Sequence, residues 1–143
     1  MPFTPEQCVK IQELFSTIKI CIEPSDNRCF TDEQYTACGI DVVTDISTSD
    51  VLMGIKEVPI QNLIPNKTYF FFSHTIKEQP HNKKLMEALL EKNIRMIDYE
   101  ALTANHGRRI IGFGRYAGIV GTYNAFRLFG DRKSTRLNSS HRL

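Results

Sequence analysis

The sequence contains no tryptophan, and its four cysteines include no C-x-x-C pair. Cysteines paired at that spacing are typical of zinc and thiol redox sites, so we expect neither thiol redox chemistry nor a metal centre. We predict that the four thiols are free and buried: Cys8, Cys21, Cys29 and Cys38. The chain also lacks the roughly 18 consecutive apolar residues that a membrane-spanning helix needs, which argues against a membrane protein.

Charge of one sign is also scarce, because 18 basic residues are nearly balanced by 16 acidic ones in a chain of 143 residues. Residues 131–143 contain four basic residues and one acid, so residues 1–130 carry 14 basic and 15 acidic residues and a net charge of −1. A nucleic-acid partner is therefore not expected. The start, Met-Pro-Phe-Thr-Pro, lacks the basic and apolar segments of a secretory signal, so we expect a cytoplasmic protein.

The last 13 residues, 131–143, differ in character from the rest of the chain. Their sequence, Asp-Arg-Lys-Ser-Thr-Arg-Leu-Asn-Ser-Ser-His-Arg-Leu, resembles the translation of a synthetic sequencing-library adapter. We interpret the segment as non-native; a native, polar and disordered terminus is the alternative. The folded domain is accordingly predicted to lie within residues 1–130.

The rest of the chain alternates between helical and strand patterns. Helices are predicted after the capping sequences Thr4-Pro5-Glu6-Gln7 and Thr31-Asp32-Glu33-Gln34, between Pro80 and Asn93, and from Ala117 to Phe129. Apolar runs predict strands at Ile18–Ile22, Val51–Ile55, Tyr69–Phe72, Ile94–Ile97 and Arg109–Phe113, and a shorter apolar run lies at Val42–Val43. Of these, Val51–Ile55 and Tyr69–Phe72 are expected to be buried on both faces. The alternation predicts an α/β, three-layer, Rossmann-like (flavodoxin-like) domain with a mostly parallel sheet.

Two basic residues directly follow predicted strands: Lys56 follows Val51–Ile55, and His74 follows Tyr69–Ser73. In open parallel sheets, ligands bind beyond the carboxyl ends of the strands, so both side chains are expected to face one crevice. Each residue also has a simpler interpretation. Lys56 would then be a solvated surface lysine, and His74 a polar cap on its strand.

The stretch Gly112–Gly118 imitates the dinucleotide fingerprint G-x-G-x-x-G/A. A true fingerprint needs an acidic residue at the end of a second strand about 20 residues further on. That position falls within residues 131–143. We therefore do not interpret the stretch as a nucleotide site.

Four strings, taken together, resemble one enzyme family: GIKEVP (54–59), FFFSHTIKEQP (70–80), IDYE (97–100) and GRRIIGFGRYAGIVG (107–121). They are similar to the successive signatures of the saccharopine dehydrogenase and lysine–2-oxoglutarate reductase family, within the alanine dehydrogenase and transhydrogenase superfamily. The resemblance implies a fragment of an NAD- or NADP-dependent oxidoreductase that acts on the CH–NH bond of an amino acid. Alanine dehydrogenase is the alternative within this class. A non-catalytic amino-acid-binding module is the alternative from another class.

The resemblance also implies roles for individual residues. Lys56 and His74 would form the acid–base pair, which suits the proton transfers of imine and amine interconversion. The substrate would be bound by Lys56, Gln79, Arg109 and Phe113. Arg108 would contact the cofactor. Glu57 and Glu100 would moderate the mutual lowering of pKa between two cationic groups, or would simply be solvated acids.

Parts of the family pattern are not found in this sequence. A first strand and a substrate-binding arginine are expected before Pro2, and a domain that binds NAD or NADP is expected after residue 130. The resemblance suggests that Gly112–Gly118 leads into a helix that joins the two domains. We therefore predict that this chain alone neither binds the nucleotide tightly nor turns over.

Overall fold

The computed structural model describes the backbone of residues 2–140 and the side chains of residues 2–132. The chain forms two compact units that divide between Ile110 and Ile111. Within the described residues, no helix is both long and apolar enough to cross a membrane.

The first part of the first unit contains two short helices and a pair of parallel strands. These elements are α1 (Pro5–Leu14), β1 (Cys21–Ile22), α2 (Asp32–Ala37) and β2 (Asp41–Val42). The predicted capping box of α1 is confirmed, since the Thr4 N–H donates to Gln7 Oε1 at 2.9 Å and the Gln7 N–H to Thr4 Oγ1 at 3.3 Å. A small core joins these elements and consists of Cys8, Ile22, Tyr35 and Ile40.

All four cysteines are free, but they are not all buried. Cys8 lies in the small core, where burial raises the pKa of its thiol. Cys29 and Cys38 are exposed, so the prediction of buried thiols is wrong for both of them. The prediction rested on the apolar character of cysteine. It could not show that Cys29 lies in a loop and Cys38 at the end of α2, where side chains face solvent.

The second part of the unit is a three-stranded parallel sheet in the order β3-β4-β5. Its elements are β3 (Val51–Lys56), β4 (Thr68–Phe72), α3 (Lys83–Glu91) and β5 (Arg95–Asp98). Helix α3 connects two parallel neighbours, the usual arrangement for strands that cannot be joined by a tight turn. The α/β class with parallel strands is confirmed, although the strands are divided between two small sheets rather than one.

The side chains of the central strand, β4, alternate between two apolar environments. Tyr69 and Phe71 pack into the main core with three side chains of α3: Leu85, Ala88 and Leu89. Phe70 and Phe72 point to the other face, where both rings contact Tyr99. Strand β4 is thus enclosed on both faces, as its continuous apolar run predicts.

Strand β3 lies at an edge of the sheet, and the prediction that it is buried on both faces is wrong. Leu52 is buried, whereas Val51 and Met53 are 47% and 36% exposed. Only one face of β3 therefore packs on the core. Its apolar residues on both faces gave the same pattern as β4, so the sequence could not distinguish the two strands.

The predicted strand at Arg109–Phe113 is also wrong. Arg109 forms a single antiparallel bridge with Thr103, and this pairing does not extend into a ladder among the described residues. The second unit contains helix α4 (Gly114–Ser140), which includes the predicted helix at Ala117–Phe129 and begins three residues before it. Gly112 interrupts the apolar run and weakens its tendency to form a strand.

Two buried tyrosines of the sheet region provide a matched pair for a stability test. The hydroxyl of Tyr69 accepts the Ile64 N–H at 2.9 Å, whereas that of Tyr99 is buried without a hydrogen-bond partner among the described residues. Because an unsatisfied buried hydroxyl is costly, Tyr99→Phe is expected to leave the free energy of unfolding unchanged or to raise it by up to about 1 kcal/mol. Tyr69→Phe is expected to lower it by about 1 kcal/mol. Urea unfolding of both variants tests this, and a clear loss of stability in Tyr99→Phe would contradict it.

Candidate active site

The carboxyl ends of β3, β4 and β5 lie at the same edge of the sheet. Lys56, the last residue of β3, is aligned with Phe72 at the end of β4, and Phe71 is aligned with Asp98 at the end of β5. The segments that leave β4 and β5 carry His74 and Glu100, each two residues beyond its strand. The predicted position of Lys56 and His74 at neighbouring strand ends is thus observed.

A buried carboxylate, that of Glu100, forms the centre of this edge. Its side chain is only 4% exposed, and Oε2 lies 3.1 Å from His74 Nδ1. The other oxygen, Oε1, lies 3.5 Å from Arg109 Nη1 and 3.8 Å from Lys77 Nζ. Three basic side chains, two from the turn after β4 and one from Arg109, therefore surround one acid, which offsets the cost of burying its charge.

The contact with Glu100 assigns roles to the two nitrogens of the His74 ring. An ionised carboxylate can only accept hydrogen bonds, so Nδ1 carries the proton of this contact. The other nitrogen, Nε2, is then the atom that can exchange a proton with a ligand. The His74 side chain is 40% exposed, so the ring is accessible to solvent.

The backbone at His74 adopts a conformation that is unusual for a residue with a side chain. Its φ of 57° lies in the left-handed region, and a one-turn helix at Thr75–Lys77 follows it. Asn82 stabilises the turn, because its Nδ2 donates to the His74 carbonyl at 3.0 Å. Such conformations are concentrated at functional sites, where surrounding contacts hold them in place.

Lys56 and its neighbour Glu57 are exposed at the end of β3. Neither side chain forms an ion pair or a hydrogen bond with the part of the chain whose side chains are described. The catalytic role of Lys56 and the moderating role of Glu57 stay predictions.

The other predicted site residues lie in exposed segments. Gln79 precedes the one-turn helix Pro80–Asn82, and its carbonyl accepts the Asn82 N–H at 2.9 Å. The carbonyl of Arg108 accepts the Ala104 N–H at 2.8 Å. Phe113 belongs to the second unit, where it is 53% exposed. The contacts around Glu100 therefore join His74 and Arg109 among the predicted residues. The roles of all the predicted residues stay predictions.

The sequence is similar to known proteins over most of its length. A profile of the family described as "Alanine dehydrogenase/PNT, N-terminal domain" matches residues 1–120. The chain belongs to this family. The resemblance inferred from the four sequence strings is thereby confirmed.

The named relatives are alpha-aminoadipic semialdehyde synthases and saccharopine dehydrogenases. The mitochondrial alpha-aminoadipic semialdehyde synthase of Bos taurus is 40% identical over 80% of this chain and 12% of its own length. The enzyme of that name from Arabidopsis thaliana is 32% identical over 92% of this chain and 13% of its own length. A saccharopine dehydrogenase of Schizosaccharomyces pombe, named as NAD(+)-dependent and L-lysine-forming, is 30% identical over 73% of this chain and 30% of its own length. The chain thus spans less than a third of each of these relatives.

Sequence reasoning missed three residues at the edge of the sheet of this alanine dehydrogenase-type domain: Ser73, Lys77 and Asp98. Lys77 contacts Glu100, while Ser73 and Asp98 are buried beside it. The sequence did indicate that Asp98 is buried, because this residue stands between the apolar run Ile94–Ile97 and Tyr99. A buried carboxylate requires a hydrogen-bond or ion-pair partner. Lys77 had no such signal, since its partner is 23 positions away in the sequence.

The backbone at Gly112–Gly118 does not have the arrangement of the dinucleotide fingerprint. Gly114 is the first residue of α4, but no strand leads into Gly112 in the described part of the chain. The fingerprint requires a strand, a tight glycine turn and a helix in succession. Arg108, the residue predicted to contact the cofactor, has an exposed side chain, and its role stays a prediction.

Proposed function

We propose that this chain is the substrate-side domain of an NAD- or NADP-dependent oxidoreductase that acts on the CH–NH bond of an amino acid. The preferred reaction is the formation or cleavage of saccharopine in lysine metabolism, with saccharopine or lysine plus 2-oxoglutarate as the substrate. The observation that carries the proposal is the buried carboxylate of Glu100, which holds His74, Arg109 and Lys77 at the carboxyl edge of a parallel sheet. Ligands bind at this edge in open α/β sheets. The relatives named as saccharopine dehydrogenases support the choice of substrate.

In this proposal, Lys56 and His74 carry out the proton transfers. Conversion of a secondary amine into an imine removes a proton from nitrogen, and hydrolysis of the imine passes through a carbinolamine whose oxygen must gain or lose a proton. A lysine and a histidine can perform both transfers if one of them is neutral when the other is charged. Hydride transfer itself would take place on NAD or NADP, which the resemblance places in a separate domain of the whole enzyme.

Arg109 and Gln79 are proposed to bind the carboxylates and polar groups of the substrate. The guanidinium of Arg109 is about half exposed, and its contact with Glu100 involves one nitrogen, Nη1. An arginine can bind a carboxylate through two parallel hydrogen bonds. The other N–H groups of the Arg109 guanidinium can therefore donate to a carboxylate of the ligand. Phe113 would contribute apolar contact, and Arg108 would contact the cofactor of the whole enzyme.

Alanine dehydrogenase is the second candidate, because the family description names it. A non-catalytic amino-acid-binding module is the candidate from another class. In both cases the same edge of the sheet would bind an amino acid.

Sequencing of the coding DNA beyond residue 130, followed by assay of the encoded protein, tests the proposal. We expect an open frame that encodes a G-x-G-x-x-G domain, and reduction of NAD or NADP with saccharopine. Turnover of alanine instead would support alanine dehydrogenase. A stop codon after the domain, together with amino-acid binding and no turnover, would support the module.

The 143-residue chain itself is expected to be inactive. Calorimetry with NAD and with NADP should detect no tight binding, and the chain should not oxidise saccharopine. Micromolar nucleotide binding or measurable hydride transfer would overturn this part of the proposal.

We also keep a cytoplasmic location as a prediction. The relatives from Bos taurus and Mus musculus are named as mitochondrial, whereas that from Arabidopsis thaliana is not. Fractionation of source cells with an antibody against the domain would distinguish the two compartments.

A further inference from the structure

A short polar contact lies directly beside the His74–Glu100 pair. The Ser73 hydroxyl donates to Asp98 Oδ2 at 2.5 Å, and both residues are buried, with exposures of 1% and 9%. The contact joins the residue after β4 to the last residue of β5. Burying a carboxylate is costly unless it accepts hydrogen bonds, so the hydrogen bond from Ser73 to Asp98 stabilises the folded chain.

The second oxygen of Asp98 holds the segment that carries Glu100. Its Oδ1 accepts the Glu100 N–H at 2.8 Å. One carboxylate therefore binds the residue before His74 with one oxygen and the backbone of Glu100 with the other. The separation of these two segments is fixed by Asp98 at the point where His74 and Glu100 meet.

The hydroxyl of Ser73 also fixes the residue that follows His74. Its single hydrogen is donated to Asp98, so its oxygen must act as the acceptor in its other contacts. Thr75 provides two donors, namely its hydroxyl at 2.7 Å and its N–H at 3.1 Å. His74 is consequently held on both sides, which explains how its left-handed backbone is maintained.

We infer that Ser73 and Asp98 are positioning residues that hold His74 Nδ1 against Glu100 and so leave Nε2 free for proton exchange. Neither side chain is accessible enough to touch a substrate, so both act through His74 and Glu100. Their importance for catalysis rests on the proposed function. Their effect on the ring of His74 is a property of this chain and can be measured without turnover.

The test is the tautomer of His74 in the 143-residue chain, measured by nitrogen-15 NMR of labelled imidazole rings at a pH at which imidazole is neutral. In the unaltered chain we expect the form protonated at Nδ1 to predominate for His74. In Ser73→Ala, the ratio of this form to the one protonated at Nε2 is expected to fall roughly fivefold, the change expected for the loss of about one hydrogen bond. Exposed His81 and His106 serve as internal references and should not change.

Thr75→Val is the matched control. It removes a hydroxyl from the same cluster but keeps the Thr75 N–H and the bond from Ser73 to Asp98, so the tautomer ratio should be preserved. Asp98→Asn is the second variant. It keeps an oxygen for the Glu100 N–H but loses the acceptor for Ser73, and we expect a change in the same direction as in Ser73→Ala.

An unchanged His74 tautomer in either folded variant, Ser73→Ala or Asp98→Asn, would overturn the inference. It would also be overturned if neither variant folds, because the two residues would then act in the core rather than on the pair. A longer protein that lacks activity with saccharopine would refute the proposed function but would leave the tautomer result intact. The two failures are therefore distinguishable.

Discussion

Replacement of His74 by asparagine is expected to lower kcat/KM for saccharopine by roughly 10²–10⁴-fold in the full-length enzyme, the usual effect of removing a general acid or base. Asparagine tolerates the left-handed backbone that His74 adopts, so the turn at Thr75–Lys77 should be kept. Steady-state rates of hydride transfer across pH measure the effect. The pH profile should lose the limb that reports the histidine.

His81→Asn is the matched control for this prediction. His81 lies in the exposed one-turn helix Pro80–Asn82, close in sequence to His74 but without a contact to Glu100 among the described residues. Its replacement should leave kcat/KM and the pH profile unchanged. If His74→Asn keeps the full rate, or if both variants lose activity equally, His74 is not the acid or base.

Phe71→Ala is expected to lower the free energy of unfolding by about 3–5 kcal/mol, the range for removing a buried phenylalanine ring. Phe71 is fully buried in the central strand and belongs to the core that joins the sheet to α3. Because small proteins are stable by only about 5–15 kcal/mol, much of the chain should unfold at modest urea concentrations. Urea titration followed by circular dichroism measures the change.

Phe15→Ala provides the comparison, since Phe15 is 56% exposed at the end of α1. Its replacement is expected to change the free energy of unfolding by no more than about 0.5 kcal/mol. A loss below about 1 kcal/mol for Phe71→Ala would show that this core relaxes around the cavity.

Features that depend on neighbouring residues could be predicted from the sequence. The capping box at Thr4 and the helix α3 follow from hydrogen bonds and apolar spacing within a few residues. The parallel pairing of β4 and β5 follows from the helix between them. Lys56 and His74 were assigned to one edge because each directly follows a strand.

Features that depend on distant residues could not be predicted in this way. Val51–Ile55 and Tyr69–Phe72 have similar apolar patterns, yet β3 lies at an edge with one open face and β4 is enclosed. The apolar run at Arg109–Phe113 is not a strand, because within residues 2–140 it pairs with another segment only through the single bridge between Arg109 and Thr103. Such outcomes depend on what packs against a segment, which its own residues do not specify.

The sequence by itself determined the α/β class, the family and the two strand ends that carry Lys56 and His74, because these depend on local patterns and motifs. The tertiary structure decided which charges meet there. Glu100 lies 26 positions from His74 in the chain, yet parallel alignment of β4 and β5 brings the two side chains to 3.1 Å. The sheet likewise brings Ser73 to Asp98 and Lys77 to Glu100. Ion pairs and hydrogen bonds act over only a few ångströms, so they are decided by the register of strands rather than by spacing along the chain.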